Sequence, residues 1–238
     1  MKSITLPKNL MGYMLTDFIY TFPEIAHFKE SRSFTYQVSN RANLNVYNLQ
    51  EEKEIIGKTV FDLNESIMQG KWPPLFAEEI HKSDLLVVKN KTPIKLDHKI
   101  FLNQSGYLVI HSMVKIPVFD KNKKEVLGIL TLSFDSTKNE EALKIKKIYG
   151  QYYNLNEANV KFMEHFGFIE GVKLKLSPRE MDCILAISKC RTNKAASHYL
   201  NISIKTLDNH LQNIKDKTGG HYSIDDLVDH FSKKVNRI

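Results

Sequence analysis

Residues 201–217 read NISIKTLDNHLQNIKDK, and this stretch decides how the C-terminal part of the chain is understood. Leu207, Leu211 and Ile214 recur at spacings of four and three, which puts them on one side of an α-helix. Almost everything else in the stretch is polar. Ser203 stands just before the periodic run, where its hydroxyl can accept a hydrogen bond from a free first-turn N–H, so the helix is expected to begin there. The opposite side displays Asp208, Asn209, Gln212, Asn213 and Lys215. Such a surface is either simply solvated or built to meet a polar partner.

The flanking sequence supplies neighbours for the apolar stripe. In LSPREMDCILAIS, Ser177 is followed by Pro178 at the first helical position and by Glu180 three residues on, a capping box with a favoured proline. Met181, Ile184 and Leu185 continue at helical spacing. Thr192 can cap a second, short helix ending near Leu200, and only Asn201, Ile202 and Ser203 separate it from the quoted one. A tight link between two short amphipathic helices is a helix-turn-helix connection, whose second helix can lie in the DNA major groove. A last helix from Ser223 through Leu227, Val228 and Phe231 would close a four-helix core.

LSPRE followed by NKAASHYLNISIKTLDNHLQNIKDK resembles the LuxR/GerE-type DNA-binding domain of bacterial regulators. The likeness covers about 60 residues and keeps the order of Leu176, Arg179, Glu180, Asn193, Lys194, Leu200, Ile202, Ser203, Thr206, His210, Ile214 and Lys217. The sequence departs from the pattern at Ala195, at Cys190 and in TGGHYS, departures that bear on affinity and packing. The resemblance implies that Asp208, Asn209 and Gln212 approach base edges, where Asn and Gln can bond adenine bidentately and Asp can accept from cytosine. It implies phosphate contacts for Asn193, Lys194, Lys205 and Thr206. Lys215 reads equally as a phosphate neighbour or a solvated lysine.

Charge agrees with an anionic partner. The chain of 238 residues carries a formal net charge of +7, of which +5 falls in the 68 residues from Gly171 onward. Cys183 and Cys190 would sit ~10 Å apart along one helix, too far for a disulfide, and read as packed thiols of a reducing cytoplasm. The apolar run LMGYMLTDFIYTF contains Asp17 and is too short to span a bilayer, so it is expected to be an amphipathic helix packed on the protein, with no membrane role.

Between residues 34 and 137 the spacing changes to strand-like runs. FTYQV and IKLDHKIFL are rich in β-branched and aromatic residues, and GYLVIHSMVKIPVF and EVLGILTLSF flank the polar turn DKNKK as a hairpin. PPLFAEEIHKSDLLVVKNK shows a helical stripe at Leu75, Ile80, Leu85 and Val88, with Glu78, Glu79, Lys82 and Asp84 on the solvated side around His81. An antiparallel sheet with helices on one face follows. This order, with FTYQVSNRANL, EIIGKTVFDLN, MVKIPVFD and VLGILTLSFDST, resembles the PAS domain, in which Asn40, Gly57, Lys58, Lys115, Pro117, Gly128 and Asp135 match mainly structural positions.

PAS folds hold flavin, haem, metabolites or nothing. The region has no cysteine, which excludes thiol-adduct flavin photochemistry, and no cofactor or metal is assigned from the sequence. His98 alternates in phase with Ile94, Leu96, Ile100 and Leu102 and is expected on the core side, as a hydrogen-bonded core histidine or a ligand contact. His111, Trp72 and Met113 are further pocket candidates. KNEEALKIKKIYGQYYNLNEANVKFMEHF is too apolar for a free tether and is expected to form two helices broken around Gly150 to Asn154.

The reading is therefore α+β: a helical segment over residues 1–30, a PAS-like antiparallel sheet domain over 31–137, a helical linker over 138–170 that is a candidate dimerisation element, and an all-α four-helix LuxR-type domain over 171–238. The expected function is a sequence-specific transcriptional regulator acting as a homodimer on double-stranded DNA, with a small-molecule ligand or a protein sensed by the PAS-like domain. The alternative keeps both folds but makes the C-terminal module a protein-binding anti-regulator with weak DNA affinity. No nucleophile–base set, Gly-rich phosphate loop or metal-ligand spacing points to an enzyme.

Overall fold

The computed structural model describes residues 10–66, 68, 75–137, 140–167, 176–219 and 222–235. The chain divides into two compact units, Met1–Ser136 and Thr137–Ile238.

The first unit is built on a five-stranded antiparallel sheet. Its strands are β1 (Ile25–Glu30), β2 (Tyr36–Ser39), β3 (Ile94–Leu102), β4 (Leu108–Phe119) and β5 (Val126–Asp135), in spatial order β2-β1-β5-β4-β3. Between β2 and β3 come α2 (Arg41–Val46), a 3₁₀ turn (Glu52–Glu54), α3 (Val60–Ser66) and the longer α4 (Phe76–Asn90). This is the PAS-like arrangement expected from the sequence.

Two apolar layers hold it. Tyr36, Leu44, Tyr47, Leu63, Phe76, Ile80, Phe101 and Met113 fill the space between the sheet and α2–α4. On the other face Ala26, Phe28, Val38 and Leu130 are covered by Ile19 of α1 (Leu10–Thr21). Burial of both faces by a helical layer explains why β1 is buried along its whole length. Strand β1 falls within the segment expected to be helical over residues 1–30; that expectation holds for α1 and not for Ile25–Glu30. Its composition, IAHFKE, hides a central strand because three of its six residues are titratable.

Asn40 fixes the entry into the helical layer. Its Oδ1 accepts from Asn43 N at 3.0 Å and Ala26 N at 3.2 Å, and its Nδ2 donates to Glu24 O at 2.6 Å, so one side chain caps α2 and ties it to β1. Gly128 fixes how closely β5 approaches β1, since a Cβ there would collide with the Phe28 ring and the Lys29 carbonyl.

The helical phase of α4 differs from the expected one. Phe76, Ala77, Ile80, Ser83, Asp84 and Val87 are buried, whereas Leu75, Leu85 and Leu86 are exposed. The stripe is thus rotated, and it carries an acidic residue into the core.

The second unit is all-helical: α5 (Ala142–Tyr152), α6 (Leu155–His165), α7 (Pro178–Cys190), α8 (Asn193–Tyr199), α9 (Ile204–Lys217) and α10 (Ile224–Val235). The break between α5 and α6 falls at Tyr153 and Asn154. Asn154 caps α6 through Glu157 N, and Gly150 lies inside α5. The capping box at α7 is formed as expected, with Ser177 Oγ accepting from Glu180 N at 3.2 Å and Glu180 Oε2 accepting from Ser177 N at 2.7 Å. Helix α7 ends at Arg191 in the left-handed conformation, φ +64°. No described helix is long and apolar enough to cross a membrane.

Candidate nucleic-acid interface and ligand cavity

Helix α9 is seated by Leu207, Leu211 and Ile214, all buried, and started by Ser203, whose Oγ accepts from Thr206 N at 3.0 Å. Its remaining surface is open: Lys205, Thr206, Asp208, Asn209, Gln212 and Lys215 are all exposed. The turn before it passes through Asn201 at φ +52°, a conformation Asn tolerates better than most side chains. Helix α8 is capped by Thr192 through Ala195 N and presents exposed Asn193 and Lys194.

The residues singled out in the sequence therefore lie on adjoining parts of α8 and α9, and two of them bond each other. Asn193 Nδ2 donates to Asp208 Oδ1 at 3.2 Å. Gln212 Nε2 donates to Asp216 Oδ1 at 2.8 Å, a contact one helical turn away on the same helix. Thr206 shares its hydroxyl with Ser203 at 2.8 Å. Asp208 is thus held by a neighbour instead of standing as a bare carboxylate.

The first unit contains a cavity of about 40 Å³ between the sheet and α2–α4. Cross-strand register sets three polar residues abreast on its floor: His27 of β1 faces Thr131 of β5, and Thr131 faces Lys115 of β4. The next row holds Ser133 and Met113, followed by His111, whose Nδ1 lies 2.6 Å from Ser133 Oγ. Tyr36, Tyr47, Phe76 and Phe101 supply aromatic walls.

Beside this floor lies a buried ionic cluster. Asp84 of α4 accepts from Lys29 Nζ at 3.0 Å through Oδ2 and from Lys115 Nζ through Oδ1, and all three side chains are at most 1% exposed. Lys29 also lies 4.7 Å from the Tyr36 ring centroid. Burial pushes the Asp84 carboxyl up, but the two ammonium groups override it and leave it at about 2. Burial brings Lys115 down to about 8, with Asp84 opposing and Lys29 adding to the fall. His27 is lowered well below the usual imidazole range by burial and then by both lysines, so it is neutral. Neither ring nitrogen of His27 nor the Thr131 hydroxyl has a hydrogen-bond partner among the described residues.

Of the sequence-stated pocket residues, His111 and Met113 line the cavity. His98 does not. It is exposed, at φ +54° in a bulge where Asp97 and His98 together oppose one residue of β4, so the register passes from Leu96↔Met113 to Lys99↔His111. The extra residue reverses the alternation and sends Phe101 inward. Trp72 lies outside the described residues. His27, Lys29, Asp84 and Thr131 were not read from the sequence as site residues; the signal available was polar residues on strands and a helix otherwise spaced for burial. Among the described residues no group of three or more His, Cys, Asp or Glu is placed to hold a metal ion.

The chain thus joins a PAS-like sheet unit to a helix-turn-helix unit. Residues 174–229 match the family model for bacterial regulatory proteins of the luxR family, so the chain carries a LuxR-type helix-turn-helix domain there. No curated protein matches the chain. Among solved structures, VqmA of Vibrio cholerae in a complex with ligand and DNA is 20% identical, covers 93% of this chain and 87% of its own, and superposes with a TM-score of 0.48. A phage VqmA in complex with DPO is 19% identical, with 95% and 88% covered and a TM-score of 0.45. The PAS domain of BvgS from Bordetella pertussis is 21% identical, covers 60% of this chain and 97% of its own, and gives a TM-score of 0.46.

Proposed function

We propose that the protein is a cytoplasmic, homodimeric transcriptional regulator that reads DNA with α9 and adjusts that reading through a small molecule held in the PAS-like cavity. The observation that carries this is the division of α9: three buried apolar anchors on one side and an uninterrupted exposed row of Lys205, Thr206, Asp208, Asn209 and Gln212 on the other. Asn209 and Gln212 present amide groups suited to adenine edges, and Lys194, Lys205 and Lys215 supply sequence-independent attraction to phosphates. Asn193 and Thr206 belong to the same backbone-positioning set. Pairing of two chains doubles the length of DNA read, and α5 and α6, the segment near residues 138–170, are the proposed pairing element. In the cavity, His111 and Met113 are proposed ligand contacts.

Electrophoretic mobility shifts on genomic fragments, run across a salt series, test the reading. Asn209→Ala should cost about 1–3 kcal/mol on the preferred site and relax base preference, whereas Lys194→Ala should weaken binding evenly and flatten the salt slope by about one. Equal losses on every DNA from both changes would refute the assigned roles. A second reading, a protein-binding anti-regulator, is favoured by one feature: Asp208 on the groove-facing side, with Asn193 committed to it. Retained binding to a protein partner without DNA affinity at low salt would select that reading.

A further inference from the structure

The buried charges beside the cavity do not balance. Among the described residues, Lys29 and Lys115 share the single carboxylate of Asp84, and all three are sealed from solvent. His27 is neutral and Tyr36 and Tyr47 keep their protons, burial raising both hydroxyls. His111 on β4 is also pushed toward its neutral form by burial, with Asp135 and Glu24 opposing. The cluster therefore carries one uncompensated positive charge, and a charge in a low-dielectric interior draws a counter-ion strongly. The cavity touches this cluster at Lys115, and the two side chains abreast of Lys115, Thr131 and His27, have hydrogen-bonding capacity that no described residue uses. The neutral imidazole offers one N–H and the threonine one O–H. An ammonium, a hydroxyl and an imidazole N–H converging on one end of a cavity whose other walls are aromatic and aliphatic make a receptor for an anionic head on an apolar body.

We propose that the PAS-like cavity binds a small monocarboxylate, its oxygens accepting from Lys115, Thr131 and His27 and its apolar part lying among Tyr36, Phe76, Phe101 and Met113. This rests on the ligand-sensing reading and narrows it to one charge class. A volume of about 40 Å³ suits a head group and a short tail as the side chains stand, and a ring requires the flexible Met113 to move. The acid supplies the missing negative charge, so the ligand completes the ionic cluster and closes the sheet against α4.

The test uses the full-length protein with matched acid and amide probes, propionate against propionamide and benzoate against benzamide, at constant ionic strength. Thermal unfolding and calorimetric titration should show the acids binding about 10- to 100-fold more tightly than the amides. Lys115→Met should erase that preference, and Thr131→Val should weaken acid binding several-fold and amide binding less, because a hydrogen bond to a charged acceptor is the stronger one. Because Lys115→Met can compromise folding, proton uptake by the wild type provides a second measure. At pH 8, near the Lys115 midpoint, a bound acid favours the ammonium form and should draw in up to about half a proton, while an amide draws none. Amides binding as well as acids, acid preference surviving Lys115→Met, or acid binding without proton uptake would each overturn the proposal. A panel of neutral heteroaromatic fragments separates the two levels: if these stabilise the protein and the acids do not, ligand sensing stands and the anion assignment fails. If neither class shifts the melting temperature, both fail.

Discussion

Asp84→Asn isolates the ionic cluster with almost no change in shape. The amide keeps a carbonyl oxygen for one lysine but loses the charge that both Lys29 and Lys115 face. Removing one partner from a buried charge network costs about 3–5 kcal/mol, because the remaining ammonium groups stay desolvated without compensation. In a unit of Met1–Ser136, each kcal/mol corresponds to roughly 3–4 °C, so its melting transition should fall by roughly 10–20 °C at pH 7.

The pH dependence distinguishes this from a generic packing defect. Lys115 in the folded wild type titrates at about 8, below its ordinary value of about 10.4. Between those values the unfolded chain binds the extra proton, so stability rises with pH across that window. With the Asp84 charge removed, the Lys115 midpoint drops further and the same rise begins at lower pH, which should narrow the gap between variant and wild type from pH 6 to pH 9. On the acid side the carboxyl of Asp84 at about 2 contributes stability that is full above about pH 4 and is lost as pH falls through 2, a loss that Asp84→Asn escapes. Differential scanning calorimetry of the full-length protein over this range provides the measurement. A transition within 2 °C of wild type at pH 7, or a gap that does not change with pH, would refute the existence of a sealed three-charge network.

Two further outcomes follow from packing. Gly128→Ala should destabilise the first unit by about 3 kcal/mol or more in denaturant titrations, since the new Cβ meets both the Phe28 ring and the Lys29 carbonyl on the neighbouring strand; a change below 1 kcal/mol would show that β1 and β5 can part freely. A chromogenic disulfide reagent at pH 8 should label Cys190, which is partly exposed, and leave Cys183 untouched until the protein unfolds, because burial of Cys183 pushes its thiol up to about 11; equal rates would contradict the buried placement of Cys183.

The two halves of the chain differ in how much of them can be read from sequence, and the difference is physical. In α9 the buried positions are all leucine or isoleucine and, apart from Ile204 in the first turn, the exposed ones are polar, so periodicity and environment largely coincide. The capping box of α7 is local and reads directly from Ser177, Pro178 and Glu180. In α4 the burial stripe passes through Asp84, and a count of apolar residues rotates the helix away from its true face. What buries Asp84 is a pair of lysines 55 and 31 residues away, which no local window contains. The same cause hid β1, whose Lys29 is one of that pair. His98 failed for another reason: strict alternation is assumed along a strand, and a bulge inserts one residue into it.

The helices next to the helix-turn-helix are bound to it by side chains from both. Lys146 of α5 donates to Pro178 O at 2.7 Å and to Asp182 Oδ1 at 2.6 Å, both on α7. Asn159 of α6 donates to Leu176 O at 3.1 Å. Glu141, at the start of α5, takes Lys189 of α7 at 2.6 Å and the Tyr199 hydroxyl of α8 at 3.1 Å. Leu143, Ile145, Ile148 and Phe162 are buried along with these polar ties. Helices α5 and α6 are therefore tied by polar and apolar contacts to α7 and α8 and belong to the same compact unit as α9. Only six residues, Ser136 to Glu141, separate the end of β5 from α5, and β5 carries Thr131 and Ser133 of the cavity.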